Sequence, residues 1–358
     1  MNLLTRYMGR EIYASIALVF AALLMLFAFL DLIRELNSIG QGQYHLGYVL
    51  LFVLLTIPGH IYELFPVVVL IGTIFALVQM ASHSEITVYR ASGASLWQMV
   101  GALFKIALPL VVLSVVCGEL LAPPSERMAQ KLRLKAQNSQ LSLKEFRSGV
   151  WVKDELSFVN VKGVMPDASL SDVDIYRFDE SYHLQNITHA KQADFIEPGQ
   201  WQLKDVLETR FSKAGVTTET LPQQAWHSVM NPGIFSVLLV VPEQMSAMEL
   251  NQYVSHLRDN RQKSARYEIA MWGKLAFPFS ILVMMILALP FAAYRRRAGG
   301  ISGMIFLGIV LGLSFHFFSK LLGSLGALND WQPFLSATTM SAVFLLLGLG
   351  MLWWVERR

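Results

Sequence analysis

The chain has 358 residues, of which 54% are hydrophobic and only 15% charged, with a formal net charge of +3. Charged residues make up about a quarter of an ordinary soluble domain, so this composition excludes a soluble globular protein and implies an integral membrane one. No basic tail or Lys/Arg run with interleaved aromatics points to nucleic acid, and the single cysteine, Cys117, excludes an internal disulfide and a cysteine-based metal centre.

The first apolar run, IYASIALVFAALLMLFAFL (12–30), follows Arg6 and Arg10. Its core is too long for a cleaved leader and no small-x-small site follows, so it is expected to stay as the first span. The next run, 46–57, is about 18 Å long as a helix and too short to cross alone. With Pro58, Gly59 and the run 64–81 it reads as one long kinked helix, or as an interfacial helix leading into a span.

Residues 82–95, SHSEITVYRASGAS, interrupt the apolar sequence. Ser84 has the chemistry of a helix N-cap, Glu85 sits where the helix dipole favours an acid, and Gly93 is a stop signal. The stretch reads as a short rod exposing Glu85 and Arg90, against the bland reading of a plain connecting loop. The third span, 97–122, leads into PSERMAQKLRLKAQ (124–137). There Arg127, Lys131 and Lys135 recur at four-residue spacing on one helical face. Such a stripe is either a solvated face or a guide for phosphorylated head groups at the membrane surface.

Residues 124–265 form one large insertion. Within it 150–163, 171–179, 183–196 and 201–211 alternate apolar and polar residues as half-buried strands do. An antiparallel all-β domain, an open sandwich or jellyroll, is the expectation. Residues 243–265 read as helical and lead back to the membrane. Three more spans follow, at 269–293, 301–322 and 333–355. The fold class is therefore an α-helical membrane protein with six transmembrane helices (3+3) and an inserted jellyroll-like β domain. Its expected divisions are 1–123, 124–265 and 266–358.

Lys and Arg in short connections set orientation. Arg6, Arg10, Arg90, Arg295, Arg296, Arg297, Arg357 and Arg358 all fall on one side if there are six crossings, and the loops 37–45 and 323–332 contain neither residue type. Both termini and the 82–95 rod are then cytoplasmic and the β domain lies outside. Ionisable residues within spans cost at least ~2.5–3.5 kcal/mol at mid-helix. Here Asp31, Arg34, Glu35, Glu63, Glu119, Lys274 and Lys320 gather at the outer ends. They either snorkel and pair with neighbours, or form a polar rim around an apolar cavity for an acidic amphiphile.

No P-loop or HExxH motif is present. GISG (300–303) has the look of an intramembrane serine-protease motif with His316 as base. On one helix, however, Ser302 and His316 lie about 21 Å apart, where a nucleophile and base need roughly 3 Å. The small residues fit close helix packing instead.

SEITVYRASGAS resembles the coupling-helix segment of the LptF/LptG permease family, the membrane subunits of the lipopolysaccharide-export ABC transporter. RYMGREI (6–12), GQGQY (40–44), GELLAP (118–123) and MWGKLAFPFSILVMMILALPF (271–291) resemble its LptG branch. The resemblance covers the whole chain. It implies pairing with an LptF-like chain around an outward-open cavity in the Gram-negative inner membrane. It further implies two LptB-like cytoplasmic ATPase copies that hold the ATP and Mg, no cofactor or metal in this chain, and delivery through LptC-like and LptA-like proteins.

By resemblance Ser84, Glu85, Tyr89, Arg90, Ser92 and Gly93 dock on the ATPase. Arg34, Arg127, Lys131, Lys135, Lys274 and Lys320 would meet lipid phosphates, and Phe27, Leu30, Phe65 and Phe317 would wall an acyl cavity. Some relatives carry several lysines at the outer end of span one; here Arg34 stands alone. The competing readings are a mechanotransmission-type permease for lipoproteins or other amphiphiles, and a membrane scaffold that transports nothing.

Overall fold

The computed structural model describes residues 3–40, 42–91, 93, 96–136, 141–142, 149–154, 156–164, 169–197, 199–212, 215–228, 242, 245–259, 263–293 and 300–357. Helix α1 (Leu3–Leu36) is followed by α2 (Leu46–Ser82), a short α3 (Glu85–Ala91) and α4 (Leu96–Val115). A π-helical turn (Val116–Leu121) joins α4 to α5 (Ala122–Ala136). Among the described residues seven strands come next, and then α6 (Ala247–Asp259), α7 (Ala265–Ala293), α8 (Gly300–Leu328) and α9 (Pro333–Glu356). Among the described residues six passes are long and apolar enough to cross a membrane.

Helix α2 settles the ambiguity of its short first half. It is one continuous helix of 37 residues through Pro58 and Pro66, about 55 Å long at 1.5 Å per residue. It is also the bundle's centre. Of its most apolar stretch 78% is buried within the chain, against 6% for the first span and 17% for the fifth. Phe65, Val68, Leu70, Ile74 and Leu77 of α2 meet Ile12 and Ile16 of α1, Leu103 and Ile106 of α4, and Ile281, Met284 and Leu287 of α7 in one core. The α1 backbone approaches so closely that a Cβ on Gly72 would lie 2.8 Å from Ile16 Cα. Small residues serve this purpose in membrane helices, where tight packing replaces the hydrophobic drive available in water.

The strands are β1 (Leu141–Ser142), β2 (Val150–Asp154), β3 (Ser157–Val164), β4 (Leu170–Phe178), β5 (Leu184–Glu197), β6 (Gln200–Ser212) and β7 (Gly215–His227). All pairings are antiparallel, in the order β1-β3-β4-β5-β6-β7 with β2 also on β3. Among the described residues the β domain is thus a meander in which short hairpins join sequence neighbours. One face is apolar, built from Val159, Val161, Val173, Ala190, Trp201, Leu203 and Val206. The Gln43 N–H donates to Ala136 O (2.7 Å), which brings the α1–α2 connection and the end of α5 together. Lys263 reaches Asp330 at 3.2 Å, placing the start of α7 beside the α8–α9 turn. The sheet is attached at this end, and α3 lies at the opposite end.

Candidate functional site

Helices α1 and α8 both pack on α2, α1 at Gly72 and α8 through Gly308 and Gly312 against Ile74 and Val67. Each also keeps one face open and apolar. Leu18, Met25 and Phe29 project from α1, and Phe306, Leu313 and Phe317 from α8. Leu30 and Phe317, expected to wall an acyl cavity, stand on these open surfaces. Phe27 is half-buried with its ring 5.3 Å from the His60 ring. Phe65 is different: it is fully buried, edge-on to Phe20 at 5.3 Å. It backs the open face and does not line it, because α2 occupies the centre of the bundle.

Ionisable groups gather at the sheet-side end of this face in two clusters. On the α1 flank, Asp31 Oδ2 lies 2.5 Å from His60 Nε2 and accepts from the Thr56 hydroxyl at 3.4 Å, with Arg34 at 3.8 Å. On the α8 flank, Lys320 Nζ donates to Glu63 Oε1 at 2.6 Å, and His316 Nε2 stands 3.5 Å from the same oxygen. Farther out, Tyr44 donates to Glu35 at 2.9 Å while Arg133 approaches Glu35 at 3.5 Å. Burial and the Glu35 bond together push the Tyr44 phenol up, so it stays a donor.

The π-helical turn organises a second region. Lys274 is nearly enclosed: its Nζ donates to Gly118 O at 3.3 Å, lies 3.9 Å from Glu119 and sits over the Tyr62 ring at 5.1 Å. A Cβ on Gly118 would collide with Tyr62, so glycine is what lets the ring and the lysine stack there. Lys274 therefore points into the bundle, away from any open surface a phosphate would reach. Arg127 is likewise engaged, in a close ion pair with Glu249 of α6. Glu119 accepts from the Ala247 N–H at 2.8 Å, and Glu249 caps its own helix by accepting from the Ser246 N–H. Burial pushes the Glu249 carboxyl up, but the Ser246 N–H and the Arg127 guanidinium hold it below the usual range. These contacts strap α6, the return from the sheet, onto the turn between α4 and α5. Of the expected phosphate ligands only Lys131 is exposed and in no ion pair among the described residues. The Lys135 side chain lies outside them.

At the opposite end, α3 forms as a rod of 7 residues with Glu85 in its first turn. Ser84 departs from the expected N-cap: its φ of 63° is left-handed, where a cap is normally extended, and it contributes its carbonyl to Val88 N–H at 3.0 Å. Gly93 has φ 91°, as a glycine past a helix end commonly does. The side chains of Tyr89 and Arg90, and the whole of Ser92, lie outside the described residues. Glu85 accepts from the Tyr7 hydroxyl at 3.2 Å. Beside it a recess of about 390 Å³ is lined by Met8, Met80, Ile86, Met99 and Ala102.

The family described as "Lipopolysaccharide export system permease LptF/LptG" matches residues 6–354. The chain belongs to the LptF/LptG family. It is 32% identical over 358 residues to the lipopolysaccharide export system permease protein LptG of Haemophilus influenzae, covering 100% of this chain and 99% of that protein. It is 31% identical over 353 residues to the LptG of Escherichia coli K12, with 98% of each chain covered. The protein is thus a multi-pass inner-membrane permease subunit of lipopolysaccharide export, as the coupling-segment resemblance implied.

Several residues of this LptF/LptG member escaped the sequence reading. His60 pairs with Asp31 across two helices, a contact no spacing within one helix announces. His316 stands out in the sequence only beside GISG, as a candidate protease base; its i,i+4 relation to Lys320 is the signal that places it in the cluster. Arg133 stands outside the Arg127/Lys131/Lys135 stripe, yet it is the cation that reaches Glu35. Glu126, within PSERM, packs against Gly59 and leaves one carboxylate oxygen buried without a hydrogen-bond partner among the described residues.

Proposed function

We propose that the open α1–α2–α8 face is this chain's half of an outward-facing cavity, completed by an LptF-like partner. Lipopolysaccharide enters it from the outer leaflet of the inner membrane. The exposed apolar faces of α1 and α8 solvate acyl chains, and the ionisable clusters at the sheet-side end meet the phosphorylated head group. Two copies of an LptB-like ATPase, which hold the ATP and Mg, grip residues 84–95 from the cytoplasm. Closure drives the lipid toward the sheet and on to LptC-like and LptA-like bridge proteins. Both termini are cytoplasmic and the sheet is periplasmic.

One observation carries the reading. The two helices flanking the buried α2 each keep a long apolar face exposed, while the ionisable clusters they form with α2 lie toward the sheet and the α3 rod lies at the other end. A lipid-facing helix needs no charged rim, and a scaffold needs no rod in the cytoplasm.

Co-purification from mild detergent, with bound proteins and lipids identified by mass spectrometry, tests it. An LptF-like chain, an ATPase and lipopolysaccharide are the expected companions. Single cysteines at Thr87 and at Thr218, in a Cys117→Ala background, test the orientation. An impermeant maleimide applied from the periplasm should label position 218 and spare 87; the reverse pattern overturns the topology.

A further inference from the structure

Most of the described cations at the sheet-side end of the bundle have an acidic partner, Lys131 and Arg266 being in no ion pair among the described residues, and the pairs are not alike. Asp31 and His60 are 13% and 20% exposed and are held with Thr56, so they brace α1 on α2. Lys274 is enclosed at 7%. The α8 cluster is the open one: Glu63 is 42% exposed, Lys320 62% and His316 36%. Its neighbours on α8 are the exposed Leu313, Phe317 and Leu321. His316 and Lys320, one helical turn apart, converge on a single oxygen, Glu63 Oε1. That is the bite of a site for one oxyanion.

We propose that Glu63 is a resident stand-in for the phosphate of the lipid head group. It holds Lys320 and His316 in the empty cavity and is exchanged for a phosphate oxygen when lipid arrives. An ammonium left bare on an apolar surface about 12 Å from the end of α8 would be costly, so the vacant site requires an internal anion. Replacing one anion by another keeps the local charge paired throughout loading. Both Glu63 contacts are to α8, so its release disturbs no other hydrogen bond described for it. The freed carboxylate turns to the water at the sheet-side rim. Export reverses the exchange: as the cavity narrows, Glu63 competes with the phosphate and helps to eject it. This rests on the cavity reading above and names the residue that sets phosphate dependence within it.

The test measures binding of two probes, diphosphoryl lipid A and the same lipid with both phosphates removed, to the full chain with its membrane partner in nanodiscs. Glu63→Gln should tighten diphosphoryl binding about three- to tenfold, or ~0.7–1.4 kcal/mol, and leave the dephosphorylated probe unchanged. Lys320→Gln should weaken the diphosphoryl probe by a similar factor. In the Lys320→Gln background Glu63→Gln should tighten diphosphoryl binding by less than it does in wild type, because only the His316 contact is left to free. If Glu63→Gln does not assemble, Glu63→Asp, with a shorter reach, should show the same preference in smaller measure. Equal effects on both probes, or none, would make the cluster a brace and overturn the exchange while the cavity stands. Wild-type protein that binds neither probe overturns the cavity reading itself.

Discussion

The membrane bundle and the inserted sheet treat apolar surface in opposite ways. In the sheet, Val159, Val173, Ala190 and Trp201 are fully buried on one face, because water surrounds the domain and the hydrophobic effect selects which face closes. In the bundle, α1 and α8 leave Met25, Phe29, Phe306 and Phe317 uncovered, since lipid or a partner solvates them as well as protein does. Exposed apolar residues thus mean little in the bundle. What marks a site there is where the few charges are placed, and whether small residues let helices close around them.

The largest effect expected from a single change tests the sheet half of this contrast. Trp201 is fully buried between Phe195 and Trp226, and Trp201→Ala should destabilise the sheet by about 3–5 kcal/mol. Proteolysis should then open the strands while the bundle stays folded in detergent; simultaneous loss of both would show that the two regions are one cooperative unit. In the bundle the counterpart is Gly72→Val. A side chain there meets the Ile16 backbone, and overpacking of this kind typically costs about 1–3 kcal/mol. The thermal midpoint in detergent should fall while strand protection is kept.

Much of this contrast was legible in the sequence. The six spans were visible because roughly 20 apolar residues have few other uses, and β2 to β6 because one buried face imposes alternation. Strand β7 was not, since its exposure pattern lacks a buried face along most of its length. The continuous helix from 96 to 136 was also hidden. Pro123 and Pro124 look like a terminus, and the chain absorbs them by widening into a π turn. For the candidate site, spacing identified the cations but not their partners: Lys320 with Glu63, Lys274 with Glu119 and Arg127 with Glu249 are all contacts between helices. Phe65 was misplaced for the same reason, as apolarity alone does not tell the centre of a bundle from its rim.

Two smaller effects separate function from stability in the bundle. Glu85→Arg removes the acceptor for Tyr7 and reverses the charge on the α3 rod. Complex formation should survive, while ATPase-driven lipid release falls by about tenfold, on the order of 1.4 kcal/mol. Normal release with ATPase bound would dissociate this residue from coupling. Phe317→Ser, on the open face of α8, should shift stability by no more than about 0.5 kcal/mol yet reduce retention of acyl chains. A fall in thermal midpoint as large as that of Gly72→Val would mean that Phe317 is packed by protein.

The smallest effect is electrostatic and belongs to the sheet, where water lets a carboxylate titrate. The Glu208 side chain is only 3% exposed. It accepts from Arg210 Nε and Nη2 at 3.0 Å, from Asn186 at 2.7 Å and from Gln224 at 3.4 Å. The Arg210 bonds, aided by Asn186 and Gln224, hold its carboxyl below the usual range against the opposing push of burial. A carboxyl lowered by folding adds stability that is complete above its unfolded value, about 4.3, and lost as pH falls through the folded one. The urea midpoint of the sheet should therefore be flat between about pH 5 and 7 and decline below about pH 4.3. Glu208→Gln should be less stable than wild type at neutral pH and should lose part of the acid decline. Arg210 is largely solvent-exposed, which screens its share, so the difference should be small. An identical acid slope in both proteins would place the titrating group elsewhere, with Asp179, whose carboxyl is held down mainly by the His183 N–H, as the next to replace.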